Sequence, residues 1–140
     1  MLHFDAKDFA QYSEVLDGRP APYIIDHMAR VPAADGVEQE PFQRLLERFA
    51  TDERCWIKIS CAERLTEGKT SPFDDVIPFA RALVNCTPDR LLWGTDWPHP
   101  NLADMPDEGE LLDLLARFVP DEQVRNQILV ENPQVLYDFS

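Results

Sequence analysis

The segment Leu91-Leu92-Trp93-Gly94-Thr95-Asp96-Trp97-Pro98-His99-Pro100 leads an apolar run directly into a carboxylate, an indole and an imidazole. Asp and His so close together can accept, donate or relay a proton, or hold a metal ion. Pro98 and Pro100 lack the backbone N–H that a sheet ladder needs, so a strand here is expected to end near Asp96 and open into a stiff loop. Asp96 and His99 then sit at the carboxyl end of a strand, where α/β folds keep their active sites. A plainer reading, with Asp96 capping a turn and Trp93 and Trp97 packing a core, carries about equal weight for an isolated motif. The recurrence of the pattern favours chemistry.

Four short apolar runs each end in a polar or ionisable residue: Met1 to Asp5, Tyr23 to His27, Cys55 to Ser60, and Leu91 to Asp96. Their length and their β-branched or aromatic content predict buried strands. Helical patterns fall between them, over about Lys7 to Leu16, Glu40 to Ala50 and Phe73 to Asn85, with Phe42, Leu45, Leu46 and Phe49 spaced to share one face. Helices between successive strands are what parallel neighbours with right-handed crossovers require, so the chain is expected to be α/β. Beyond the fourth run the pattern is helical only, first through Leu111, Leu112, Leu114 and Leu115, then through Val124, Ile128 and Leu129 to Asn132-Pro133 and Leu136-Tyr137. No repeat, low-complexity tract or linker divides it.

Parallel strands point the same way, so His3, His27, Ser60 and Asp96 are expected to meet on one rim. Two imidazoles and a carboxylate suit a zinc-like divalent ion, which lowers the pKa of bound water to about 7. Without a metal, Asp96 serves as general base toward water while a histidine polarises a carbonyl. Each residue also has an ordinary reading. His3 is two residues from the N-terminus, where fraying is common, and His27 could do no more than bond its neighbours. Arg64, four residues past Ser60, is either a solvated arginine or a guanidinium placed to grip a substrate carboxylate, and Arg30 stands similarly after His27. Cys61 has no evident partner base in the sequence and is read as packing rather than as a nucleophile.

At 140 residues the chain is one domain at most, able to bury about 68–70% of its unfolded surface. Against 26 acidic residues stand 13 Lys and Arg, and a formal charge of -13 with no basic stripe argues against a nucleic-acid partner. No apolar run approaches the roughly 20 residues of a membrane span, and the N-terminus lacks a signal-peptide layout. Cys55, Cys61 and Cys86 are odd in number and show no C-x-x-C spacing, so reduced thiols and a cytoplasmic location are expected.

Taken together, His3-Phe4-Asp5-Ala6, Ile25-Asp26-His27-Met28-Ala29-Arg30, Ile57-Lys58-Ile59-Ser60, the Trp93 to Pro100 block, and Glu131-Asn132-Pro133 with Leu136-Tyr137-Asp138-Phe139 resemble the amidohydrolase superfamily. The branch resembled is that of 2-pyrone-4,6-dicarboxylate lactonase and related TIM-barrel hydrolases, over nearly the whole chain. The resemblance implies a partial domain over residues 1–140, the C-terminal half (about strands 5 to 8) of a (β/α)8 barrel. It implies hydrolysis of a small carboxylated lactone or related cyclic ester from aromatic catabolism. Asp96 would be the general base and His27 an electrophile or ligand; Arg64, Arg30 and His99 would hold the substrate. For cofactors it leaves two states open, a zinc or manganese ion on His3, His27 and Asp96, or metal-independent operation. Ala29 and Cys61 stand where such sequences usually carry glycine, and the first-strand His-x-His pair has no counterpart. Half a barrel would expose sheet edges that favour a homo-oligomer or a partner N-terminal half. The competing expectation is a truncated, inactive half-barrel or a non-enzymatic α/β interaction module.

Overall fold

The computed structural model describes residues 1–66, 72–99, 102 and 105–139. Its centre is a parallel sheet of β1 (Tyr23–Ile25), β2 (Cys55–Lys58) and β3 (Leu91–Leu92) in that spatial order. Tyr23 pairs with Cys55 and Ile25 with Ile57, while Ile57 meets Leu91 and Lys58 meets Leu92. The expected α/β class, with parallel strands, is what forms. The strands are shorter than the apolar runs suggested. Met1 to Asp5 contributes only one parallel bridge, Leu2 to Ile25, because Asp5 already turns the chain into a 3-10 turn at Ala6–Asp8. The last strand stops at Leu92 rather than near Asp96, ahead of Pro98. Its neighbour β2 turns away beyond Ile59, whose N–H bonds Leu92 O at 2.9 Å, and no further ladder partner follows among the described residues. Pro100 lies outside the described residues.

Helices connect and cover the sheet: α1 (Phe9–Asp17), α2 (Glu40–Thr51), α3 (Ala62–Leu65), α4 (Ile77–Cys86), α5 (Glu108–Phe118), α6 (Glu122–Asn126) and, after a π-turn at Gln127–Glu131, α7 (Asn132–Tyr137). The first and third helical patterns start later than the sequence suggested, since 3-10 turns at Ala6–Asp8 and Asp74–Val76 precede α1 and α4. The short α3 has too few residues to show a periodic face, so nothing in the sequence announces it.

Side chains alternate across a strand, which divides the interior in two. Tyr23, Ile25, Cys55, Ile57 and Leu91 join the large core with Phe42, Leu45 and Phe49 of α2, Phe79 and Leu83 of α4, and Leu111, Leu114, Leu115 and Phe118 of α5. Phe42 and Phe79 meet edge to face with centroids 4.9 Å apart, a preferred aromatic geometry. Ile24, Trp56 and Leu92 face the other way and are covered by Leu136 of α7. Buried Asn132 anchors that helix, donating from Nδ2 to Pro88 O (2.7 Å) and Leu91 O (2.8 Å). Asp107 and Asp121 cap α5 and α6 by accepting backbone N–H groups of their first turns.

The amino end of the sheet is tied by Arg90. Its guanidinium donates to Asp52 O (2.6 Å), Cys55 O (3.0 Å) and Phe49 O (2.8 Å) and lies over the Phe49 ring. Arg90→Ala leaves three carbonyls without this donor and is expected to cost on the order of 2–3 kcal/mol in a urea melt. Arg90→Lys should recover only part, since an ammonium cannot reproduce the fork.

Candidate active site

All three strands end in a residue or turn with positive φ at the same edge of the sheet. After β1 the chain makes a left-handed turn through His27, Met28, Ala29 and Arg30, with φ of 53, 50, 53 and 48°. After β2, Cys61 has φ 65°, and after β3, Asp96 has φ 71° and His99 52°. Left-handed geometry costs a residue with a Cβ about 1–2 kcal/mol. Complete burial of Met28 and Ala29 offsets that cost here. Ala29 and Cys61, the two positions where glycine was the expected family residue, both occupy the backbone region glycine tolerates best.

These turns bring His27, Ser60, Cys61, Arg64 and Asp96 together. His27 Nδ1 lies 2.8 Å from Ser60 Oγ, and Nε2 faces Asp96 Oδ1 at 3.4 Å. The other oxygen of Asp96 takes Arg64 Nη2 at 3.0 Å and Cys61 Sγ at 3.4 Å. Asp96 thus has an imidazole on one oxygen and a guanidinium plus a thiol on the other. Beneath it, Ser60, Cys61, Gly94 and Thr95 close on Leu111, Leu114 and Phe118 around a void of about 10 Å³, at the lower limit for holding a water.

The His27 imidazole titrates below its usual range; burial is the main cause, only partly offset by Asp96 and Asp26. It is therefore neutral near pH 7, and the bond pattern assigns its proton to Nε2, toward Asp96, with Ser60 O–H donating to Nδ1. The unfolded chain binds this proton near pH 6.5 while the folded chain resists it. The stability contribution is present above about pH 6.5 and falls as pH drops toward the lowered native value. Melting temperatures should decline from pH 7.5 to 5.5, and His27→Gln should flatten that part of the profile. Burial, aided by Glu63 and Asp96, pushes the Cys61 thiol well above its ordinary pKa. This agrees with packing rather than nucleophilic attack.

His3 stands beside this group, its ring edge-on to His27 with centroids 5.2 Å apart, and is itself exposed. Potential metal donors fall into overlapping sets: His3, Asp26 and His27; His27, Cys61 and Asp96; and Glu63, Asp96 and His99. His27 is common to the first two, so the three ligands expected from the sequence divide between them. Arg30 pairs with Asp5 at 2.5 Å on the flank of the left-handed turn. His99, expected to hold substrate, is turned into the protein. Its side chain is wholly buried, with Nδ1 3.3 Å from Glu63 Oε1 and Nε2 2.7 Å from Glu108 Oε1. Sequence reasoning missed Glu63, Glu108 and the Lys58–Asp26 pair at 2.8 Å. Asp26 and Lys58 did stand at strand ends, a signal that could have found them.

Fold and site together define a parallel α/β protein that gathers an acid, a histidine and an arginine at the carboxyl edge of its sheet. The amidohydrolase family model matches residues 1–139, and the chain belongs to that family. It is 46% identical over 139 residues to a 4-sulfomuconolactone hydrolase of Rhizobium radiobacter, covering 97% of this chain and 46% of that protein. It is 39% identical over 145 residues to a 2-pyrone-4,6-dicarboxylate hydrolase of Comamonas testosteroni, covering 98% and 48%. Among solved structures it resembles a probable 2-pyrone-4,6-dicarboxylic acid hydrolase of Acinetobacter baumannii with citric acid bound. That match has a TM-score of 0.83 and 28% identity over 99% of this chain and 51% of that one. The chain spans about half the length of the curated relatives it matches.

Proposed function

We propose that this chain carries the general base and a carboxylate-binding arginine of a hydrolase that opens small carboxylated lactones. The carrying observation is the Asp96 carboxylate at the end of β3, with His27 Nε2 on one oxygen and Arg64 Nη2 on the other. Asp96 takes a proton from water as the water oxygen bonds to the lactone carbonyl. The ring C–O bond then breaks, and the departing oxygen takes a proton back from the Asp96 carboxyl. His27, neutral with its one N–H at Nε2, orients Asp96 in the resting site and turns that proton to the carbonyl once water takes its place on Asp96. Arg64 offers a substrate carboxylate the guanidinium that in the resting site faces Asp96, and Arg30, the last residue of the left-handed turn, is a second cation for the same purpose. The lactone class comes from the two relatives, a sulfomuconolactone hydrolase and a pyrone dicarboxylate hydrolase, both acting on acidic rings by their names.

In this reading residues 1–140 form a partial domain, the last four strand–helix units of a (β/α)8 barrel. The parallel order Leu2, β1, β2, β3 supports it. Ile24, Trp56, Lys58 and Leu92 then belong to the inward wall, and the outer edges of Leu2 and β3 join the remaining strands or a second copy. The nitrogen, oxygen and sulfur donors at His27, Asp96 and Cys61, with His3 adjacent, fit a zinc-like ion. Such an ion, when bound, would supply an acidified water and polarise the carbonyl. The test is hydrolysis of 4-sulfomuconolactone and 2-pyrone-4,6-dicarboxylate by the chain completed with the N-terminal half of a relative. The reading fails if the folded protein opens neither.

A further inference from the structure

Buried His99 and Glu63, with half-exposed Glu108, form a unit beside Asp96 that the lactone-opening scheme does not use. Its members come from three elements. Glu63 lies on α3 next to Arg64, His99 on the loop after β3, and Glu108 opens α5. The His99 side chain has no exposure, and one carboxylate faces each ring nitrogen, Glu63 at 3.3 Å and Glu108 at 2.7 Å. Its backbone N–H donates to Asp96 O at 2.8 Å, closing a turn whose first and last residues both have positive φ. Thr95 and His99 both hydrogen-bond the Glu108 carboxyl, so the start of α5 grips the loop at two points. Glu63 is buried to 7% exposure and its Oε2 has no hydrogen-bond partner among the described residues, so the inward turn of this acid serves the His99 contact.

We propose that His99 is a positioning residue. With Glu63 and Glu108 it clamps the loop after β3 between α3 and α5, and so holds the Asp96 carboxylate against His27, Cys61 and Arg64. The role rests on the reading of Asp96 as the base. It goes beyond that reading by giving the left-handed Asp96 backbone a cause and by removing His99 from contact with substrate. The same helix, α3, then supplies both the guanidinium that meets Asp96 and the acid that fixes the loop carrying it.

Cysteine alkylation reads this placement without requiring turnover. Cys61 is buried with Sγ against Asp96, Cys55 is buried within β2, and Cys86 is exposed. Iodoacetamide labelling of the chain followed by peptide mass mapping should show fast reaction at Cys86 and slow reaction at Cys55 and Cys61. In His99→Gln the Cys61 rate is expected to rise about tenfold or more while Cys55 stays slow, because the opening is local. Glu108→Ala, at a half-exposed position, should raise the Cys61 rate several-fold. A Cys61 rate unchanged in both variants overturns the proposal, and so does a parallel rise at Cys55, which would mark general loosening. In the chain completed with the N-terminal half of a relative, the same variants should lower kcat for a lactone while KM stays within about threefold, whereas a rise in KM alone would return His99 to substrate binding. A completed wild-type chain that opens no lactone counts against the lactone reading and leaves the labelling result to judge the clamp.

Discussion

Asp96→Asn is expected to lower lactone hydrolysis about 10²–10⁴-fold in kcat, the range for losing a general base. The amide is nearly the same shape as the carboxylate and still offers an oxygen to Arg64 or to His27 Nε2–H, so binding should change little. What it cannot do is accept a proton from water. Folding stability is a separate matter, since the half-buried Arg64 guanidinium then stands beside a neutral group. A modest loss in a urea melt is expected, on the order of 1–3 kcal/mol. Steady-state kinetics with the amide variant separate these effects, because a fold defect lowers the active fraction whereas loss of the base lowers turnover per folded molecule.

Arg64→Met should act on a different constant. Methionine keeps much of the aliphatic bulk of the side chain but removes the guanidinium, and a charge-assisted hydrogen bond to a carboxylate contributes about 1.5–3 kcal/mol. KM for a carboxylated lactone is expected to rise about 10–100-fold, with a much smaller change for the corresponding neutral methyl ester. Arg64→Lys should recover part of the affinity through charge alone, since an ammonium has no planar fork. Equal losses on the acid and on its ester would mean that Arg64 serves only to hold Asp96.

The α/β class and much of the site are legible in the sequence for one physical reason: each short apolar run ends in a group that a buried strand would not tolerate in its middle. Tyr23 to His27 and Cys55 to Ser60 carry this signal clearly, and His27, Ser60 and Asp96 do converge. The helix over Glu40–Thr51 is equally plain from Phe42, Leu45 and Phe49. Strand ends are not legible, because the ladder after Leu92 is limited by how far β2 continues, a property of the neighbour rather than of Trp93 or Gly94. His99 shows a second limit. Its place beside Asp96 and two prolines suggests a substrate-facing residue, but its direction is fixed by Glu63 and Glu108, neither of which the local sequence marks as a partner. Glu63 in particular reads as a surface acid until Cys61, at φ 65°, sets the angle at which the four-residue α3 leaves the sheet.

The most direct measurement is a substrate panel for the chain completed with the N-terminal half of a relative, following loss of the lactone chromophore. The panel contains 2-pyrone-4,6-dicarboxylate, 4-sulfomuconolactone and the uncharged ester of the former. Turnover of at least one acidic lactone, with kcat/KM about tenfold or more above that of the uncharged ester, is the predicted result. A folded protein that opens none of the three, or that treats the acid and its ester alike, would contradict a carboxylated-lactone hydrolase built around Asp96, His27 and Arg64.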